Sequence, residues 1–342
     1  MLRLIIHRSS LGANLARLTV LSLLAALPAF ASAQSGGAQP NEGLSVFFTA
    51  LDKDGKAVKE IRADDVKLSA DGAPVRLISL KKQDDGPVFF TIAIDTSASE
   101  ERMLPSTKVV AGLFIKSMMR PGLDKAAIVT FTGDMTVEQD MTGDVNEVLE
   151  AIGRVRFVPP SGYVGGGIIV GNLPPATSNS GGSTSIWDTV SQIGDKVMPR
   201  SLGAGRRVLL LITDGEDTSS GMKSNKAIAA AVQSGVVVYA IGIGDNYFDG
   251  VDKNTLRKIA ERTGGRAFFP KKVNDITESF KQVSESLSSQ YVITFVPTSM
   301  GRDGLSYKLR IEIINRGLRE QGVELAYPQE YYAVSAPTAV KK

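Results

Sequence analysis

From Val88 to Ile94 the chain reads Val-Phe-Phe-Thr-Ile-Ala-Ile, then breaks at once into Asp95-Thr96-Ser97-Ala98-Ser99. A continuous apolar run of that length, bounded by small polar residues, predicts a strand buried on both faces of a parallel sheet. The same texture returns at Ala126–Phe131, Arg207–Thr213 and Gly235–Gly242. Between these runs the apolar period changes. Val109, Val110, Leu113, Phe114 and Met118 predict a helix over residues 103–119, and further helices are expected over 145–155, 186–198, 226–233, 252–263 and 274–287. Strand–helix alternation sustained over about 200 residues predicts an α/β fold, a doubly wound and mostly parallel sheet flanked by helices.

On either side of this stretch the period drops to two. Leu44–Leu51, Val66–Ser69 and Val75–Leu80 are separated by Asp52-Lys53-Asp54-Gly55 and Asp71-Gly72, the composition of hairpin turns. Asp52 and Asp54 do not begin a calcium loop, because Lys56 and Ala57 stand where a ligand and the turn glycine would be needed. Beyond the α/β stretch, Tyr291–Val296, Tyr307–Ile313 and Val323–Leu325 predict more strands, expected to pair with the first set. The expected organisation is a leader at 1–33, a linker at 34–43, a small β element at 44–87 and the α/β domain at 88–289. C-terminal strands at 290–334 and a tail at 335–342 complete it.

The leader changes the charge picture. Arg3, Arg8 and Arg17 precede the apolar run Leu18–Leu27, which ends in Pro28 and the small-residue series Ala29–Ala33. This is the pattern of a secretory signal cut after Ala33, with an apolar run short for a membrane span. It removes three arginines and no acid, so the 39 basic residues fall to 36 against 36 acidic ones. A neutral mature chain carries no nucleic-acid footprint. There is no cysteine, and the one histidine, His7, belongs to the leader. Ser–His–Asp and Cys–His catalysis, histidine-ligated zinc and thiolate chemistry are thereby excluded from the mature chain, as is a lipid-modified cysteine. The mature protein is expected to be secreted or periplasmic, without a stable membrane anchor.

In open α/β sheets, ligands bind outside the carboxyl ends of the strands. Asp95 and Asp214 directly follow two predicted central strands, and Thr184 precedes the helix expected from Ile186. With Ser97 and Ser99 they make two carboxylates and three hydroxyls, a set of hard oxygen donors. Gly165-Gly166-Gly167 lacks the lysine of a phosphate loop. Glu216 and Asp217 read as a solvated turn in preference to further ligands or supports of the site, and Asp188 as a residue that caps the following helix or supports the site. The Gly/Pro/Ser-rich segment from Pro159 to Ser183 is expected to overhang the site, either as a specificity loop or as a plain insertion.

Asp95-x-Ser97-x-Ser99, Thr184 within Gly182–Asp188, and Asp214 within Ile212–Asp217 together resemble the von Willebrand factor A family and its metal-ion-dependent adhesion site, as found in secreted bacterial relatives. The resemblance implies that Ser97, Ser99 and, in one state, Thr184 coordinate Mg²⁺ or Mn²⁺ directly, while Asp95 and Asp214 act mainly through bound water. It further implies an open position on the ion for an Asp or Glu of a protein partner. Two positions depart from the family pattern. Ala98 replaces a glycine, and Glu100-Glu101 replaces an apolar residue; these acids read here as offsetting the N-terminal dipole of the next helix, in preference to extra charge that attracts cations and repels an acidic partner. The functional expectation is a non-enzymatic, metal-dependent binding protein for adhesion or assembly. Its rivals are a scaffold whose metal only braces loops and, ranked last, a metal-dependent hydrolase. The sequence names neither the partner nor the oligomeric state.

Overall fold

The computed structural model describes residues 44–83, 86–159, 163–165, 168–169, 183–203, 205–244, 250–296 and 306–332. The expected leader, linker and tail, and most of the 159–183 loop, lie outside the described residues. The chain begins with β1 (Leu44–Leu51), β2 (Val66–Ala70), β3 (Ala73–Pro74) and β4 (Arg76–Lys82). There follow β5 (Val88–Asp95), α1 (Leu104–Met118), β6 (Lys125–Phe131), β7 (Met135–Thr142), α2 (Val145–Arg154), and a short hairpin of β8 (Tyr163–Gly165) and β9 (Ile168–Ile169). Next come α3 (Ile186–Gln192), β10 (Arg206–Thr213), α4 (Ser224–Gln233), β11 (Val236–Gly242), α5 (Lys253–Arg262), β12 (Ala267–Phe268) and α6 (Val273–Ser288). β13 (Gln290–Val296), β14 (Ser306–Ile313), α7 (Arg316–Glu320), β15 (Glu324–Ala326) and β16 (Glu330–Tyr332) complete the described chain.

The central sheet has the order β12-β11-β10-β5-β6-β7, parallel throughout except for the antiparallel edge strand β7. β5 is buried along its whole length, because its two faces enter two cores. Phe90, Ile92 and Ile94 pack with the apolar stripes of α1, α2 and α6, and Phe89 and Ala93 with those of α3, α4 and α5. Each large apolar side chain so buried contributes about 1.5–3 kcal/mol, which fixes the strand and the residue that ends it.

The short β3, β8, β9, α7 and β16 were not expected from the sequence, and three further differences concern the α/β body. β7 was not foreseen: Met135, Val137, Gln139 and Met141 do alternate, but an edge strand half open to solvent carries a weak apolar signal. β12 is too short to signal itself. The helix expected over 186–198 is α-helical only to Gln192 and continues as one wider turn through Ile193–Val197.

The flanking strands interleave in two antiparallel sheets, β15-β1-β13-β4 and β16-β14-β2-β3. They share a core in which Phe48 stacks on Tyr291 at 5.3 Å. Asp71 and Gly72 both take positive φ, 46° and 81°, as a tight hairpin turn of this kind needs. Both connections to the α/β body lie at the amino end of β5: Gln83 N–H donates to the Gln290 carbonyl, and the Arg206 guanidinium donates to the carbonyls of Gly86 and Leu287. No helix among the described residues is long and apolar enough to cross a membrane.

Asp124 anchors that same end. Its carboxylate accepts from the Val88 amide and from the backbone and guanidinium of Arg120 at 2.8–2.9 Å. Burial pushes the carboxyl up, but the hydrogen bonds from Arg120 and Val88 outweigh it and hold it below the usual carboxylate range. We expect Asp124→Ala to lower stability by about 2–3 kcal/mol, since Arg120 is only partly buried and keeps some water. A depressed carboxyl stabilises above its unfolded pKa and loses that contribution as pH falls through the folded one. Melting temperatures followed from pH 6 to pH 3 should therefore fall less steeply for Asp124→Ala than for the native chain.

Candidate metal centre

β5 and β10 are parallel neighbours, with Ile212 opposite Ile94, so Asp95 and Asp214 leave the same edge of the sheet side by side. Each folds back on its own chain in a short Asx turn: Asp95 Oδ1 accepts from the Ser97 amide at 2.9 Å and Asp214 Oδ1 from the Glu216 amide at 3.0 Å. Between them, the Thr213 hydroxyl donates to Asp95 Oδ2 at 2.5 Å and accepts from the Gly215 amide at 3.1 Å. Ser97 Oγ and Ser99 Oγ lie 3.2 Å apart, with Ser97 buried and Ser99 exposed. Thr96 closes the corner, its amide and hydroxyl both donating to the Phe131 carbonyl at the end of β6.

Thr184 reaches this edge by backbone bonds. Its amide donates to the Thr218 hydroxyl, and its carbonyl accepts from the amides of Thr218 and Ser219, four and five residues past Asp214. The amide and hydroxyl of Ser185 donate to the carbonyl of Thr132, next to the residue that holds Thr96. The five residues singled out from sequence thus share one edge of the sheet.

Glu100 joins them, and here the sequence reading is corrected. It lies in a single 3₁₀ turn, Ala98–Glu100, with only 1% of its surface exposed. One carboxylate oxygen from each of Asp95, Glu100 and Asp214 lies within 4.8 Å of the others. An acid serving only a helix dipole would stand in solvent; this one is enclosed. In the structure Leu104, Thr107, Ala111 and Phe114 form the buried stripe of α1, and one turn further back along it falls on Glu100. Glu101 also has a partner, since its carboxylate accepts the Tyr163 hydroxyl from β8, whose ring lies edge-on to Phe157. The remainder of that loop, including Val170 and Leu173, falls outside the described residues.

Ala98 causes no strain, because Asp71 is the one non-glycine residue at positive φ among the described residues. Asp217 and Asp188 are occupied elsewhere. Asp217 accepts from the Ile186 amide and the Ser220 hydroxyl, capping α3, and Asp188 accepts from the amides of Gly221 and Met222. Glu216 is exposed.

Two like charges 4.8 Å apart repel by roughly 3 kcal/mol at an effective dielectric near 20. Among the described residues no lysine or arginine forms an ion pair with Asp95, Glu100 or Asp214. Both shifted carboxyls respond in the same direction. Burial raises Asp95 against the hydrogen bonds of Thr213 and Ser97, and burial raises Glu100 further with the charges of Asp95 and Asp214 added. Glu100 Oε1 has no hydrogen-bond partner among the described residues. An all-oxygen donor set, an excess of negative charge and an orphaned buried oxygen together fit a hard divalent cation.

A parallel α/β sheet with oxygen donors gathered at its carboxyl edge defines the class. The family model of the von Willebrand factor type A domain matches residues 169–282, which include Thr184 and Asp214. Similar solved structures include BatB of Bacteroides thetaiotaomicron, with 16% identity, a TM-score of 0.43, and 59% of this chain and 100% of that one covered. A von Willebrand factor type A protein from Catenulispora acidiphila has 15% identity and a TM-score of 0.46, over 86% of this chain and 74% of that one. Proximal thread matrix protein 1 from the mussel byssus, in a structure with a zinc-occupied MIDAS motif, has 20% identity and a TM-score of 0.45 over 64% of this chain. The present chain spans 49% of that protein. No curated protein sequence matches the chain.

Gly215 is a further residue the sequence reading passed over. At φ +92° it turns the chain so that the Asp214 carbonyl accepts the Asp252 amide at 2.7 Å, and a Cβ there would lie 2.8 Å from the Asp252 carbonyl oxygen. Gly215→Ala is expected to cost more than the roughly 1–2 kcal/mol of a left-handed alanine. Gly55→Ala provides the reference, having φ +74° and open space around its Cβ. Urea unfolding midpoints of the two variants check this, with the lower one expected for Gly215→Ala.

Proposed function

We propose that this chain is a secreted or periplasmic, non-enzymatic protein that uses Mg²⁺ or Mn²⁺ to dock an acidic group of a protein partner in adhesion or assembly. The observation that carries the reading is the gathering of Asp95, Glu100 and Asp214 carboxylate oxygens within 4.8 Å beside the Ser97–Ser99 hydroxyl pair. Ser97, Ser99 and Thr184 are the residues that would hold the ion directly, with Asp95 and Asp214 orienting water around it. When bound, the cation supplies an electrophilic centre for an oxygen ligand. Asp95 is held for its part by Thr213 and by the Ser97 amide, and Asp214 by the Glu216 amide.

Charge at the rim supports an acidic partner. Asp252, whose amide binds the Asp214 carbonyl, is followed by the exposed Lys253. Lys253 and Arg257 both lie over the Phe269 ring, at 5.6 and 5.3 Å. Export is supported by the charged, apolar and A-x-A segments of residues 1–33. The loop-brace alternative has less to do, because Asp188, Asp217 and Thr218 already tie the two loops together through hydrogen bonds.

Titration calorimetry with Mg²⁺ and Mn²⁺, paired with capture from an envelope extract with and without EDTA, tests the reading. Asp95→Ala is expected to keep the fold by circular dichroism, and to lose both cation binding and EDTA-sensitive capture. Capture that persists unchanged in EDTA and in Asp95→Ala would sink the docking mechanism. Cation-dependent thermal stabilisation without any captured partner would favour the brace.

A further inference from the structure

We propose that Glu100 is an additional ligand of the cation, filling a coordination position that a partner's carboxylate would otherwise take. The inference rests on the cation-docking reading above and adds a competitor built into the chain itself. Three observations carry it. The Glu100 side chain is enclosed, with 1% exposure. Its Oε1 has no hydrogen-bond partner among the described residues. One of its carboxylate oxygens lies within 4.8 Å of oxygens of both Asp95 and Asp214.

A buried carboxylate beside two others is strongly unfavourable unless a cation or protons compensate it. Surface reach does not explain the arrangement, because Glu100 is fixed by its own backbone. Its amide donates to the Ser97 carbonyl at 3.0 Å and its carbonyl accepts the Met103 amide at 3.0 Å. That turn continues into α1, whose buried stripe directs the same helical face inward. The position is therefore rigid, and its polar tip is left without a protein donor at Oε1.

The consequence is regulatory. A sphere of neutral hydroxyls leaves the ion strongly electrophilic, whereas a carboxylate supplied by the chain neutralises part of its charge and occupies one site on it. Glu100 then favours retention of the cation and opposes an outside acid. A partner must displace it, so occupancy of the metal and occupancy by the partner become separable steps.

The test uses Mn²⁺ with the mature chain, reading the dissociation constant and, by water-proton relaxation, the exchangeable water left on the bound ion. Glu100→Gln and Glu100→Ala are expected to weaken Mn²⁺ binding about 10-fold or more. Glu100→Ala is also expected to leave more water on the ion than the native chain does. Metal-free Glu100→Gln should melt close to the native chain, because an uncharged side chain of the same shape preserves the packing of the turn; this separates loss of a ligand from loss of the fold. Unchanged affinity in both variants, or weaker binding with an unchanged water count, overturns the assignment. If native chain binds Mn²⁺, Asp95→Ala does not, and both Glu100 variants match the native chain, only the Glu100 assignment falls. Absence of Mn²⁺ binding by the native chain overturns the docking reading and this inference together.

Discussion

Three acids crowd the carboxyl edge of the central sheet, and most of what is unusual in this structure follows from holding them there. Asp95, Glu100 and Asp214 bring oxygens within 4.8 Å of one another in a region almost closed to solvent. Their mutual repulsion and lost hydration must be offset by something rigid. The rigidity comes from β5 and β10, whose apolar residues pack on both faces of the sheet. It is refined by hydrogen bonds from Thr213 and from the amides of Ser97 and Glu216. These donors orient the carboxylates without neutralising them, so the charge remains available to a cation.

The two ends of the sheet have separate duties. Asp124 and Arg206 tie the amino ends of the strands to the junctions with the flanking β sheets. Those β sheets interleave strands from before and after the α/β body, so a single packed core closes the chain on itself. Both covalent connections lie at that end, which keeps the described carboxyl edge clear of them. Around the site, Asp188 and Asp217 serve neighbouring amides. The acids near the centre thus divide into those that brace loops and those that carry unbalanced charge.

The gathering of Glu100 with the expected residues changes the character of the site. Two carboxylates and three hydroxyls would leave a cation open to an acidic partner. A third carboxylate from the turn before α1 would alter the balance between holding such an ion and offering it. Tyr163, bonded to Glu101 one residue further on, ties part of the long loop to the same turn.

Read alone, the sequence determined the central architecture, because strands buried on both faces must be continuously apolar and the helices that cover them must be periodic. Val88–Ile94, Arg207–Thr213 and the existence of α1 were legible for that reason, although Val109 and Leu113 of the expected stripe stand exposed and the buried face runs through Leu104, Thr107, Ala111 and Phe114 instead. It also determined where Asp95 and Asp214 belong, since both end such strands, and the absence of cysteine and of histidine beyond His7 set firm limits on chemistry. β7 was not legible, because an edge strand is only half constrained by burial. Nor were Thr213, Gly215 and Glu100, whose roles depend on neighbours distant in sequence. The Thr213 hydroxyl finds Asp95 across 118 positions, and Gly215 is required by the approach of Asp252. An acid at the start of a helix looks the same in sequence whether it faces water or two other carboxylates. Only the packing of α1 against β5 decided that Glu100 faces inward, because side-chain direction in that turn is set by burial of the helix as a whole.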